Sequence, residues 1–237
     1  MAVTVTVSVI GVLIELGVVI AGVSTVLSET TESLGVRLWH FVSYFTILSN
    51  LLVIITVLPL ITDPRHDGRR WRVLRLAALV MMTVTGLVHW FLLRPLSTLA
   101  GVEAVGDILV HVAVPVLTLI GWLVFGPRPR TDPRTVAWSL AWPIGWLVYT
   151  LVVGALTGWY PYPFLDVATN GVGPVAITCG AIALLLAGLA WACWRLDRVL
   201  TPRPRAEGHP SNLVRPADCR TGLRGSLHDR SLRYPVH

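Results

Sequence analysis

The chain has 237 residues, 54% of them hydrophobic and 14% charged, with a mean hydropathy of +0.69. Soluble domains carry about a quarter charged residues, so this composition excludes an ordinary water-soluble domain and points to an integral membrane protein. The formal charge of +6 arises from 19 Arg, with no Lys, against 13 acids, and nothing in its pattern directs the chain to nucleic acid.

Six apolar stretches, each close to the roughly 20 residues that a helix needs to cross a bilayer, are predicted at about 3–27, 38–61, 73–93, 108–125, 136–156 and 172–194. The expected fold is all-α: a polytopic six-transmembrane-helix bundle over residues 1–196. A disordered, Arg/Pro-rich cytoplasmic tail is expected over 197–237, where eight Arg face four acids. Its Pro, Gly and Arg leave little apolar surface to bury.

In the first stretch, Met1 to Ile10 contain no basic residue, so it reads as a retained helix and not as a secretory signal. Glu15 is expected near the midplane, about 18 Å from either end at 1.5 Å per residue. A carboxyl at that depth is expected to pin another helix, the other reading being proton movement.

The second stretch carries Ser43, Thr46, Ser49 and Asn50, related by steps of three and four and therefore expected to form one polar stripe. Thr46 falls roughly 10 Å below the outer end of this helix. His40, beside Trp39, reads as interfacial. The third stretch brings His89 about 7 to 8 Å from Arg94.

The fourth brings His111, with Asp107 one turn before it and Pro115 one turn after it. Ionisable residues within spans mark functional sites by default. Asp107 can accept the imidazole N–H and fix its tautomer, while Pro115 lacks the N–H that would bond the His111 carbonyl, which frees an acceptor and bends the helix. Thr46, His89 and His111 thus fall at one depth.

The fifth connection holds Trp159, Tyr160, Tyr162 and Phe164, rings that suit an interface anchor on the outer face or the lining of an entrance for lipid. On the sixth stretch Cys179 and Cys193 are about 21 Å apart along a helix and cannot bridge. Connections 62–72 and 126–135 hold four and three Arg, whereas the alternate connections are poor in Arg. The positive-inside rule then places the chain in the cell membrane with both termini cytoplasmic.

A threonine hydroxyl becomes nucleophilic when a neutral imidazole within hydrogen-bond reach takes its proton. Thr46 and His111 are the candidate catalytic dyad, with Asp107, Asn50 and His89 in support: Asp107 or Asn50 would orient the base or face a developing oxyanion. The other reading of such a Thr is a bond back to the carbonyl one turn earlier. No cofactor is required by the dyad, and its partners would be membrane lipids, with a lipid ester as substrate.

The segments Phe41 to Asn50 (FVSYFTILSN), Asp107 to Pro115 (DILVHVAVP) and Gly158 to Leu165 (GWYPYPFL) resemble, in that order, landmarks of the androgen-induced transmembrane protein family, with its androgen-dependent regulator branch. Characterised members are intramembrane threonine hydrolases that cleave fatty acid esters of hydroxy fatty acids. The resemblance spans about 150 residues and implies a Thr46 nucleophile and a His111 base. It is closer to small bacterial six-span relatives, and Asp107 stands where the family has Asn. Two alternatives stay open on the residues themselves: a haem site held axially by His89 and His111, and a non-catalytic carrier or scaffold in which Glu15, Thr46 and His111 bind a solute or pin helices.

Overall fold

The computed structural model describes residues 1–22, 32–96 and 99–201, and Met1–Thr201 form one compact unit. The protein is all-α, with no strand among the described residues. Among the described residues, six helical segments are long and apolar enough to cross a membrane: Ala2–Ala21, Phe45–Thr62, Arg69–Leu96, Gly101–Phe125, Pro133–Thr157 and Val172–Val199. This is a multi-pass membrane protein built as a six-helix bundle. From residue 202 onward the expected tail lies outside the described residues.

The first span, α1 (Ala2–Ala21), ends sooner than its hydropathy suggests. Gly22 adopts a left-handed φ of 69° and returns its N–H to Val18 and Val19, and Arg37 donates from its guanidinium to the Val19 carbonyl. A positive side chain on the last carbonyls of a helix satisfies both their lone pairs and the helix dipole. Because the helix stops there, Glu15 lies about 9 Å from its C-terminal end and about 20 Å from its start, not midway along it. Its carboxylate lies over Gly106 of the fourth span, where a Cβ would come within 2.5 Å of Oε1.

The second stretch is two helices. α2 (Leu34–Ser43) stops at Tyr44, whose φ of −68° and ψ of 131° are extended, and α3 (Phe45–Val57) starts directly after it. A break inside a bundle leaves carbonyls and amides unpaired unless neighbours meet them. Here Trp146 donates its indole N–H to the Ser43 carbonyl at 2.8 Å. The Ser43 hydroxyl donates back to Trp39 O and lies 2.8 Å from the Tyr149 hydroxyl. Ser43 therefore turns towards the fifth span and does not belong to the polar stripe. A single turn, α4 (Pro59–Thr62), completes the crossing.

The third span, α5 (Arg69–Val88) with a π-turn at His89–Leu93, runs through the middle of the bundle. Leu76, Leu79, Met81 and Met82 are all buried on it. The fourth comprises α6 (Gly101–Ile108), a π-turn at Leu109–Ala113 and α7 (Val114–Phe125), so it begins before the expected residue 108 and takes Asp107 into the helix. The fifth is α8 (Pro133–Ser139) and α9 (Ala141–Thr157). The sixth, after the short α10 (Val167–Asn170), is α11 (Val172–Val199). Leu156, Ile177 and Leu184 on these last two spans are at least 75% exposed, as hydrocarbon-facing residues would be.

At the Arg-rich end, α11 runs past the expected boundary at residue 196 and takes Asp197 with it. Asp197 is 1% exposed and accepts from Arg130 N, Thr131 N and Thr131 Oγ1 at 2.7, 2.9 and 2.6 Å. It ties connection 126–132 to the end of the last helix. Asp67 there bonds both Arg72 and Arg130. The Arg72 guanidinium, which donates to both its oxygens, holds its carboxyl well below the usual carboxylate range.

Candidate functional site

Thr46 stands in the first turn of α3, and the break at Tyr44 decides its chemistry. A threonine inside a continuous helix would bond back to the carbonyl one turn earlier, as Thr56 does with Leu52 O at 2.8 Å. With no helical turn running through Tyr44, the Thr46 hydroxyl is released to another partner. That partner is His111: Oγ1 lies 3.0 Å from Nε2.

His111 sits in the middle of the fourth span's π-turn. The turn gives the Val114 N–H to the Leu109 carbonyl, and Pro115 has no N–H to offer Val110 five residues before it. Asn50 meets that orphaned carbonyl, donating from Nδ2 to Val110 O at 3.3 Å and to Thr46 O at 2.9 Å. Its Oδ1 accepts from Ser8 at 2.9 Å. Both kinds of polar group on Asn50 are thus engaged in joining spans one, two and four. This corrects the expectation that Asn50 orients the base or faces an oxyanion; it supports the site by fixing the π-turn against α3. Gly86 on α5 lets that turn approach, since a Cβ there would be 3.1 Å from Pro115 Cβ and 3.4 Å from the His111 carbonyl oxygen.

Asp107 is placed as its spacing predicts. Its Oδ1 lies 2.9 Å from His111 Nδ1, and its Oδ2 lies 3.3 Å from His89 Nε2. The carboxylate accepts, so His111 carries its proton on Nδ1 and turns a bare Nε2 lone pair towards Thr46. His89 is 3% exposed and lies face to face with His111, ring centroids 4.2 Å apart at 15°. It too stands in a π-turn, an irregularity frequent at functional sites.

That stacking departs from the haem alternative. Axial imidazoles approach an iron from opposite faces of a porphyrin, whereas these two rings lie against each other. The donors of His89, Asp107 and His111 are within 4.8 Å of one another, a two-histidine, one-carboxylate set of the kind that binds divalent ions. For a shared ion both in-plane lone pairs must converge, and nearly parallel rings would have to turn to do so. The hydrogen-bonded arrangement needs no such movement.

Tyr162 is the site residue that sequence reasoning assigned elsewhere. It is 5% exposed and points into the bundle, not out to an interface. Its hydroxyl accepts from Thr46 N at 3.3 Å and lies 3.4 Å from Thr46 Oγ1. Connection 158–171 folds inward because it is bonded to itself: Gly158 caps α9 with φ 77°, and Asn170 donates to Pro163 O at 2.8 Å. Tyr162 stacks on Phe164, while Trp159 covers His40 at 3.8 Å, so His40 is buried. Burial pushes the Tyr162 phenol above its ordinary value, which keeps it a proton donor. The signal in the sequence was the packing of Gly158, Pro161 and Pro163 around the aromatics, since such turn residues fold a chain back on itself.

Thr46, His111 and Asp107 therefore form a continuous hydrogen-bonded chain, with the Tyr162 hydroxyl beside Thr46. In chemical terms this arrangement can transfer an acyl group. Thr46, at the start of α3, also sits at the positive end of a helix dipole, where negative charge is favoured. No family model matches the chain, and no curated protein or solved structure matches it.

Proposed function

We propose that the protein is an intramembrane hydrolase of lipid esters, with Thr46 as nucleophile and His111 as general base. The observation that carries the reading is the 3.0 Å approach of Thr46 Oγ1 to His111 Nε2, with Asp107 on the other ring nitrogen at 2.9 Å. Thr46 attacks the ester carbonyl as its proton passes to Nε2, and Asp107 stabilises the imidazolium. The Tyr162 hydroxyl, held by the Thr46 amide beside the nucleophile, donates to the developing oxyanion. His111 then returns the proton to the leaving alkoxide, which departs as an alcohol and leaves an acyl-threonine. A water molecule, deprotonated by His111, attacks that ester, and the carboxylic acid leaves as Thr46 regains its proton.

The same residues support membership of the androgen-induced family of threonine hydrolases, and through it a fatty acid ester of a hydroxy fatty acid as one substrate. On the Arg distribution, the chain lies in the cell membrane with both termini cytoplasmic and the dyad towards the outer leaflet. The test is covalent labelling by a lipid-like fluorophosphonate followed by peptide mapping. Wild type is expected to carry the phosphonate on Thr46, and Thr46→Ala and His111→Ala to lose it while still inserting and folding. Equal labelling of all three would refute the dyad.

A further inference from the structure

Next to Thr46 the bundle is not filled. A cavity with about 800 Å³ of empty space, part of it open to the surroundings, extends from Thr46 and Tyr162 to the sixth span. Its walls are almost entirely hydrocarbon, among them Val84, Val88, Ile144, Leu147, Ile182 and Leu186. Along the sixth span it reaches from Cys179 to Leu186, roughly 10 Å of helix. The fifth span supplies another wall, and α9 and α11 pack against the third span more than against each other. Their remaining faces are apolar and exposed, with Val148 57% and Leu184 76% exposed.

We infer that this cavity holds the acyl chain of the ester and that the chain slides in from the bilayer between the fifth and sixth spans. The carbonyl stops at Thr46, and the tail runs towards the Arg-rich end. Which end the carbonyl occupies rests on Thr46 being the nucleophile; the occupant's chemistry rests on the walls alone. A chain leaving lipid for this cavity exchanges one hydrocarbon surface for another, so burial contributes little affinity. Selection then comes from shape. An unbranched tail fits, whereas a polar substituent along it would find few partners, Thr85 being one of the few polar residues on the walls. The substrate is accordingly a membrane-resident ester with a plain hydrocarbon acyl arm.

Cys179 lines the cavity as a free thiol and reports on its contents without any catalysis. The full-length protein in lipid nanodiscs is treated with hexadecyl methanethiosulfonate, with and without excess hexadecyl glycerol ether, and labelling at Cys179 is read by peptide mass spectrometry. The ether is expected to slow labelling of Cys179 at least tenfold and to leave a lipid-facing control, Leu184→Cys, unaffected. Equal slowing at both positions, or none at Cys179, would overturn the assignment. Independently, Ala183→Trp, which fills the cavity, is expected to lower the ratio of long-chain to short-chain ester turnover at least tenfold; an unchanged ratio counts against the proposal. If wild type hydrolyses no ester while the ether still protects Cys179, the hydrolase reading fails and the chain site stands.

Discussion

The Trp146 indole donates to the Ser43 carbonyl at 2.8 Å, and this bond between residues 103 positions apart meets the carbonyl left open where the second crossing breaks and restarts with Thr46 in its first turn. Trp146→Phe keeps an aromatic ring, a smaller one, and removes the donor. The stranded carbonyl should cost about 1 to 3 kcal/mol of stability. Activity should fall further than stability accounts for, because a healed helix would turn the Thr46 hydroxyl back onto its own backbone. Thermal unfolding in detergent and ester turnover, measured on the same preparation, separate the two effects.

Asp107 serves two imidazoles, and its variants should differ. Asp107→Ala leaves His89 Nε2 without its acceptor and His111 Nδ1 with only the Asp107 backbone carbonyl, 3.2 Å away, and should lower turnover by on the order of 10³. Asp107→Asn keeps an acceptor for His111 and should lower it by roughly 10 to 100. The kcat of both variants, with KM little changed, checks the assignment; equal losses would mean that Asp107 acts through its charge alone.

Two buried threonines on neighbouring spans make opposite predictions. The Thr56 hydroxyl donates to Leu52 O at 2.8 Å, whereas the Thr85 hydroxyl is buried without a partner. Thr56→Val should be destabilising by about 1 kcal/mol, while Thr85→Val, which removes a desolvated and unpaired O–H, should be neutral or stabilising by a similar amount. Unfolding midpoints in detergent decide between these signs.

At the Arg-rich end, stability should depend on pH through Asp67. Its folded-state pKa is depressed by its bonds to Arg72 and then Arg130, so its contribution is fully present above the ordinary value of 3.8 and is lost as pH falls towards the depressed one. Asp67→Asn lacks the contribution at every pH. The two proteins should differ at pH 7 by about 1 kcal/mol or less, as for a largely exposed ion pair. That difference should shrink on acidification below pH 4, which unfolding at pH 7 and pH 3 measures.

Hydropathy alone determined that six helices cross a membrane, because transfer of apolar side chains is a sum over positions that needs no knowledge of neighbours. Helical periodicity alone placed Asp107 within reach of His111, since the two are one turn apart on one rod. What only the tertiary structure decided depends on partners distant in the chain. The break at Tyr44 is met by Trp146, the inward turn of Tyr162 by connection 158–171, and the engagement of Asn50 by a carbonyl that Pro115 leaves open. The position of Glu15 along the first helix follows from the cap that Gly22 and Arg37 form at its end. A run of apolar residues carries no record of such bonds: each unpaired backbone group is costly in hydrocarbon, and whether it can exist is settled by the side chain that another span brings to meet it.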